Sequence, residues 1–411
     1  MKKVLLTVGA VVAVVLFVQT AQAQDDKPWS VSATVRGFYD DNINTTPSGA
    51  VPGKQESFGF EVRPEAELIY NTGQLEVTLG YLYSMKYYND RANSADHRHR
   101  FGGGLKYQIN PRANITIDEE FVIAQESEVL DPTGVFTTRS RGNNIRNTVA
   151  LSALYEMTRL LATEVSYSNN YIDYDDSGVS SRSALLDRVE HRIGGNLRWE
   201  TAPTTIALVG YDFGVKDQTS NDPIVGTTSS SIRDNRSHYG YVGVDHDFTS
   251  KLHASLRTGV QYTEYPNLPA GADDNTINPY ADGNISYDFR KGSSIQLGIR
   301  HDRSQTDLFA LDASASPTLD AETTTGYAAI TYGFTAKIKG TVNSQLQYST
   351  FERGAADSSN DLFLLVGANL EYEISRNFSA QAGYSFDRLD SDQVLRSFTR
   401  NRVYLGFRAT Y

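Results

Sequence analysis

Apolar and charged side chains alternate at a period of two over most of this chain. That rhythm commits a segment to extended backbone with two chemically different faces. Between Phe58 and Tyr70, one face carries Phe58, Phe60, Val62, Pro64, Ala66, Leu68 and Tyr70, and the other Glu61, Arg63, Glu65 and Glu67. The next segment sets Leu75, Val77, Leu79, Tyr81, Tyr83 and Tyr87 against Glu76, Thr78, Ser84 and Lys86, and Asn71-Thr72-Gly73-Gln74 reads as the tight turn between the two. Followed along the chain, the pattern predicts further strands at 29–43, 97–110, 114–126, 144–156, 160–173, 185–200, 204–215, 236–248, 252–265, 279–290, 293–303, 323–334, 338–351, 361–374, 377–388 and 397–411. The total is about eighteen, with sixteen as the alternative because 204–215 and 323–327 are ambiguous.

The connections alternate in length. Short ones fall at 71–74, 110–113, 157–159, 201–203, 249–251, 291–292, 335–337 and 375–376, and long polar ones near 44–56, 90–96, 127–140, 174–184, 216–235, 266–278, 304–322, 352–360 and 389–396. A soluble sandwich has no reason to alternate this strictly. A transmembrane barrel does, with short periplasmic turns and long extracellular loops, and an even strand count places both termini in the periplasm. The expected fold is therefore all-β: a transmembrane antiparallel up-and-down barrel.

Composition agrees. Hydrophobic residues make up 39% and mean hydropathy is -0.41, values that suit a barrel in which only alternate residues meet lipid. The 25 Tyr suit the aromatic girdles of such a barrel at the two membrane interfaces. With 0 Cys there is neither a disulfide scaffold nor a thiolate metal site, so stability must come from a closed hydrogen-bond ladder. One long apolar run exists, VLLTVGAVVAVVLFV after Lys2 and Lys3, and Ala21-Gln22-Ala23 follows it. This is the pattern of a secretory signal cut after Ala23, an uncleaved N-terminal anchor being the alternative. Residues 1–23 are thus expected to be removed and 24–411 to form the barrel in the outer membrane. Loss of the two lysines would take the net charge from -11 to -13, which excludes nucleic acid as a natural partner.

The last segment puts Thr399, Asn401, Val403, Leu405, Phe407, Ala409 and Tyr411 on one face and Arg400, Arg402, Tyr404, Arg408 and Thr410 on the other. It resembles the C-terminal strand of outer-membrane proteins, whose final aromatic is read by the barrel assembly machinery, although Tyr411 stands where Phe is commoner. The stretch RGFYDDNINTTP, from Arg36 to Pro47, resembles the opening of the β-barrel porin-2 family of Gram-negative outer membranes. That resemblance implies a channel for solutes, and members of the family are often associated with exopolysaccharide production and export.

By the alternation, the inward, pore-lining residues include Arg36, Arg63, Arg98, Arg100, Arg188, Arg192, Asp245, Asp247, Asp282, Arg400, Arg402 and Arg408. Two readings of these charges stand. In one, Arg36, Arg400, Arg402 and Arg408 form a basic strip across the pore from Asp245, Asp247 and Asp282 and impose a transverse field. In the other, neighbouring charges pair locally. The third long loop carries Glu126, Glu128 and Asp131 beside Val129, Leu130, Val135 and Phe136, and it is a candidate constriction docked on the inner wall.

No catalytic, cofactor or metal site is expected. Asp173, Asp175, Ser177 and Gly178 imitate half a calcium loop, but Ala184 stands where a bidentate Glu is needed. His97 and His99 read as interface residues near lipid headgroups and lipopolysaccharide. His253 and Ser255 point inward, away from a lipase's lipid face, and the charges from Asp234 to His238 are better read as loop solvation than as a protease site. The functional expectation is a passive channel for small polar solutes. A polysaccharide export barrel and a surface-binding barrel with little conductance are the alternatives, and the oligomeric state, homo-oligomer included, is open. With the first strand close to the mature terminus, no plug domain is expected, which disfavours energy-coupled uptake.

Overall fold

The computed structural model describes residues 27–91, 94–125, 142–309, 311 and 317–411. Its strands are β1 (Trp29–Asp40), β2 (Ser57–Asn71), β3 (Leu75–Tyr88), β4 (Ala95–Asn110), β5 (Ala113–Ala124), β6 (Asn144–Glu156), β7 (Leu161–Tyr174), β8 (Arg188–Ala202) and β9 (Thr205–Gln218). A small hairpin, β10 (Pro223–Val225) and β11 (Thr228–Ser229), sits within the next loop. The series resumes with β12 (Asn235–Thr249), β13 (Leu252–Glu264), β14 (Asn275–Arg290), β15 (Ser293–Ser304), β16 (Asp320–Gly333), β17 (Ile338–Glu352), β18 (Asn360–Ser375), β19 (Phe378–Ser391) and β20 (Phe398–Thr410). The β10–β11 hairpin stands apart, and the other 18 strands form one sheet.

Each barrel strand pairs antiparallel with its sequence neighbour in the sheet. The sheet closes because β1 pairs with β2 on one side and with β20 on the other, Val35 facing Val62 and Phe407. Closure leaves the sheet without a free edge, as a structure in lipid requires. The strand count is eighteen, as the alternation predicts.

Short turns join the strands at one end, and threonine shapes several of them. The hydroxyls of Thr158, Thr249 and Thr335 each accept the backbone N–H groups two and three residues on, at 3.0–3.2 Å. A side chain that mimics a backbone turn in this way fixes a two- or three-residue connection. At the other end the loops are long and carry their own structure. A one-turn helix, α1 (Arg182–Leu186), is capped by the Ser181 hydroxyl, which accepts from Ala184 N–H at 3.0 Å. A 3-10 turn spans Ser230–Arg233 and another Gly354–Ala356.

The outward rows carry the exposed large apolar residues, among them Leu79, Val165, Ile193, Val242, Ile299, Leu346 and Phe407. The barrel therefore wears its apolar surface outside. His97 and His99 lie on outward rows, their Nδ1 atoms 2.8 and 3.0 Å from the hydroxyls of Tyr83 and Tyr81.

Candidate functional site

The inner wall is the natural place for chemistry in a closed barrel, and its charges meet as local pairs. On the β20–β1–β2 seam, Arg36 lies 3.5 Å from Glu61, Arg408 3.2 Å from Glu65, and Arg402 2.8 Å from Asp387. Arg400 donates Nε to both oxygens of Asp40 at 3.0 Å, and both side chains are buried. The Arg36 guanidinium also stacks 4.4 Å from the Tyr404 ring. Half-way round the ring, Arg198 meets Asp245 at 2.6 Å and Glu164 at 3.3 Å, and Arg257 approaches Asp245 at 3.5 Å. Asp247 bonds the His253 ring at 2.6 Å. Asp282 stands in register between Arg257 and Arg300. Arg188 pairs with Glu190, Arg192 with Asp212, and Arg100 with Glu120. Arg63 and Arg98 occupy the same inward phase on β2 and β4.

The seam and the β12–β14 wall do face each other. β1 and β12 stand nine strands apart in either direction around a ring of eighteen. Opposition of the two walls is thus geometrically real, but each wall neutralises most of its own charge. A transverse field from these residues is the small residue of paired charges rather than a basic strip set against an acidic one.

The wall also has an apolar patch that the charge pattern does not announce. Leu208, Tyr239, Tyr241 and Tyr280 pack together as a buried cluster on the inner face. Arg192 lies over the Tyr239 ring at 3.9 Å while bonded to Asp212, which also accepts from the Tyr241 hydroxyl at 3.2 Å. The signal was present in the sequence: the phase that turns Asp245 and Asp247 inward turns Tyr239 and Tyr241 inward too. These rings thicken the β9–β14 wall and narrow the lumen from that side.

At the outer mouth, residues 305–309 and 317–319 of the connection between β15 and β16 are held by arginines from two other loops. Arg233, wholly buried between β9 and β12, donates to the carbonyls of Leu185 at 3.2 Å, Thr306 at 3.1 Å and Thr318 at 3.2 Å, and to that of Leu308. Arg396, between β19 and β20, holds Asp307 of the same loop at 3.2 Å and Asp361 at 3.1 Å. Four strands separate the β15–β16 corner from each of these arginines, on opposite sides. A segment bonded to corners eight strands apart on a ring of eighteen must lie over the opening. Each arginine spends its fixed fork of donors on acceptors of a neighbouring loop, an arrangement that orders otherwise free chain.

Burial sets the electrostatics of this clasp. It lowers the Arg233 guanidinium to about 10, leaving the side chain charged at neutral pH. It raises the Asp187 carboxyl, at the end of α1, to about 6, although Tyr174 N–H and the Ser183 hydroxyl both donate to it. Neither arginine stands out in the sequence, because each lies in a polar loop where an isolated Arg looks like a solvated one. The candidate constriction residues Glu126, Glu128 and Asp131 lie outside the described residues, and among those described it is 305–309 and 317–319 that are held over the mouth.

Residues 314–411 match the family model described as Putative beta-barrel porin 2. The C-terminal quarter of this closed eighteen-stranded barrel is thus similar to that family. The match falls at the C-terminal end, whereas the resemblance seen in the sequence rests on Arg36 to Pro47. No curated protein matches the chain. Among solved structures the barrel is similar to Pseudomonas aeruginosa OpdK, crystallised with vanillate, at 11% identity and a TM-score of 0.46 over 93% of this chain and 99% of that one. Pseudomonas aeruginosa OccK9 (OpdG) gives 15% identity and 0.46 over 93% and 98%, and Acinetobacter baumannii OccAB4 gives 10% and 0.44 over 94% and 99%.

Proposed function

We propose that this outer-membrane barrel is a channel for small polar solutes, with its outer mouth narrowed by interlocked loops. The observation that carries the reading is the inner wall, lined by charged and polar side chains around one tyrosine patch and enclosed by eighteen strands whose large exposed apolar residues face outward. Such a lining is too costly to face lipid and has its use in contact with water. Pairs such as Arg402 with Asp387 and Arg192 with Asp212 offer a passing solute both signs of charge in close succession.

The clasp over the mouth supports a second reading, a surface-binding barrel with little conductance. Purified protein in a planar bilayer separates the two. Discrete conductance steps support the channel, whereas a silent bilayer together with saturable binding of a defined partner supports the other. The tyrosine cluster on the inner wall and the arginine-held residues 306–308 and 318 stand in the way of a long chain, so blocking of solute steps by long glycans rather than their passage is the expected result.

A further inference from the structure

Glu119 is an anomaly on the outer surface. It lies on the outward row of β5 between Ile117 and Phe121, with Gly103 of β4 and Val149 of β6 as its register partners. It is exposed at the middle of its strand, at acyl-chain depth. Other outward charges among the described residues, such as Arg236, Asp173 and Glu264, sit at extracellular strand ends. A mid-membrane ionisable side chain on a lipid-facing row calls for a protein partner.

Its surroundings say which partner. Asn147, the next outward polar residue on β6, donates from Nδ2 to Glu119 Oε1 at 3.2 Å. That single bond leaves one amide hydrogen of Asn147 and Glu119 Oε2 with no partner among the described residues. The wall thus holds one unmet donor and one unmet acceptor side by side, which is self-complementary. Gly103 adds a notch beside Glu119, since a Cβ there would meet nothing nearer than Leu79 Cδ2 at 3.8 Å, so another backbone can approach closely. The outward face of the far wall carries Leu297, Ile299, Val342 and Leu346, with the small Ser344 between the last two, and no charged side chain at comparable depth among the described residues. An anionic lipid headgroup fits neither the depth nor the charge of Glu119.

We propose that the wall formed by β4, β5, β6 and β7 is the contact between two copies of this chain, related by a two-fold axis along the membrane normal close to β5 and β6. Each copy's Asn147 donates its second amide hydrogen to the partner's Glu119, closing an isologous pair of carboxylate–amide contacts.

The chain has no cysteine, so one introduced thiol reports alone. Val149→Cys, beside Glu119, and Val342→Cys, on the far wall, are treated in native outer membranes with a membrane-permeable oxidant. The proposal predicts a disulfide-linked homodimer at Val149→Cys at least tenfold above Val342→Cys. It also predicts a tenfold loss of that dimer when Glu119→Leu and Asn147→Leu are added, with heat-modifiable mobility on gels showing that the barrel still folds. Equal cross-linking at the two positions, a Val149→Cys dimer indifferent to the leucines, or a cross-link to a different protein overturns it.

Discussion

At the scale of the residue, the inner wall works by pairing, and the consequences differ with burial. Arg400 and Asp40 are both within 4% of full burial, so Arg400→Met strands a carboxylate whose remaining partner is Asn42 N–H at 3.0 Å. Removing one member of such a pair costs about 3–5 kcal/mol. Thermal unfolding in detergent should show the loss, and Asp40→Leu added to Arg400→Met should recover most of it. Arg402 is more open and bonds both Asp387 oxygens at 2.8–3.0 Å. Arg402→Glu places two acids together on the wall, so the reversal potential in a salt gradient should move toward cations, and no movement would mean Arg402 lies off the ion path. Asp187 adds a pH dependence. Its folded value of about 6 lies above the ordinary 3.8, so the folded loop binds the proton more tightly than the unfolded one. Stability of the α1 loop therefore grows as pH falls from about 7 toward 4 and is lost as pH rises through 6. Amide exchange at residues 182–187, corrected for its intrinsic rate, should be more protected at pH 5 than at pH 8, and Asp187→Asn should abolish the difference.

At the scale of the element, strands are set by alternation and their surfaces by a recurring fit of ring against glycine. Phe38 faces Gly59, Tyr241 faces Gly210, Tyr327 faces Gly298 and Tyr404 faces Gly383 across neighbouring strands, each ring lying where the glycine's Cβ would be. An added Cβ at Gly383 would stand 2.2 Å from Tyr404 Cζ. Gly383→Val must lift the ring, breaking its 2.8 Å bond to Asn369 and its stack on Arg36, for a loss of about 1–3 kcal/mol on thermal unfolding. Gly383→Ser or Ala should cost less. Strand positions were legible because a two-residue period is a local property: 144–156 is reproduced to the residue, and β3, β12 and β17 lie within one or two of the expected bounds. Glycine–ring pairing was not legible, since it depends on register between strands, which no single segment states. Short turns were visible through Asn, Gly and Thr, whereas α1 and the β10–β11 hairpin were hidden inside loops whose order comes from Ser181, Arg233 and other side-chain partners rather than from periodicity.

At the scale of the whole molecule, closure turns a list of strands into a container, and the ring of eighteen decides which residues can oppose one another. The sequence supported two readings of the luminal charges, and in the closed ring the two walls stand opposite each other with their charges paired locally, because cross-strand neighbours about 5 Å apart outcompete partners across the lumen. The outer mouth was the least legible part. Thr306, Asp307 and Thr318 of the β15–β16 connection are bound by arginines from two corners distant in sequence, and that geometry exists only once the barrel has closed. The account's central claim is an aqueous lumen whose outer end is held narrow by this clasp. Single-channel recording of the purified protein beside Arg233→Ala with Arg396→Ala tests it most directly. The account predicts small, discrete steps for the native chain and steps at least twofold larger for the double variant, with unchanged heat-modifiable mobility. A native protein that passes no current, together with a double variant equally silent, would contradict it.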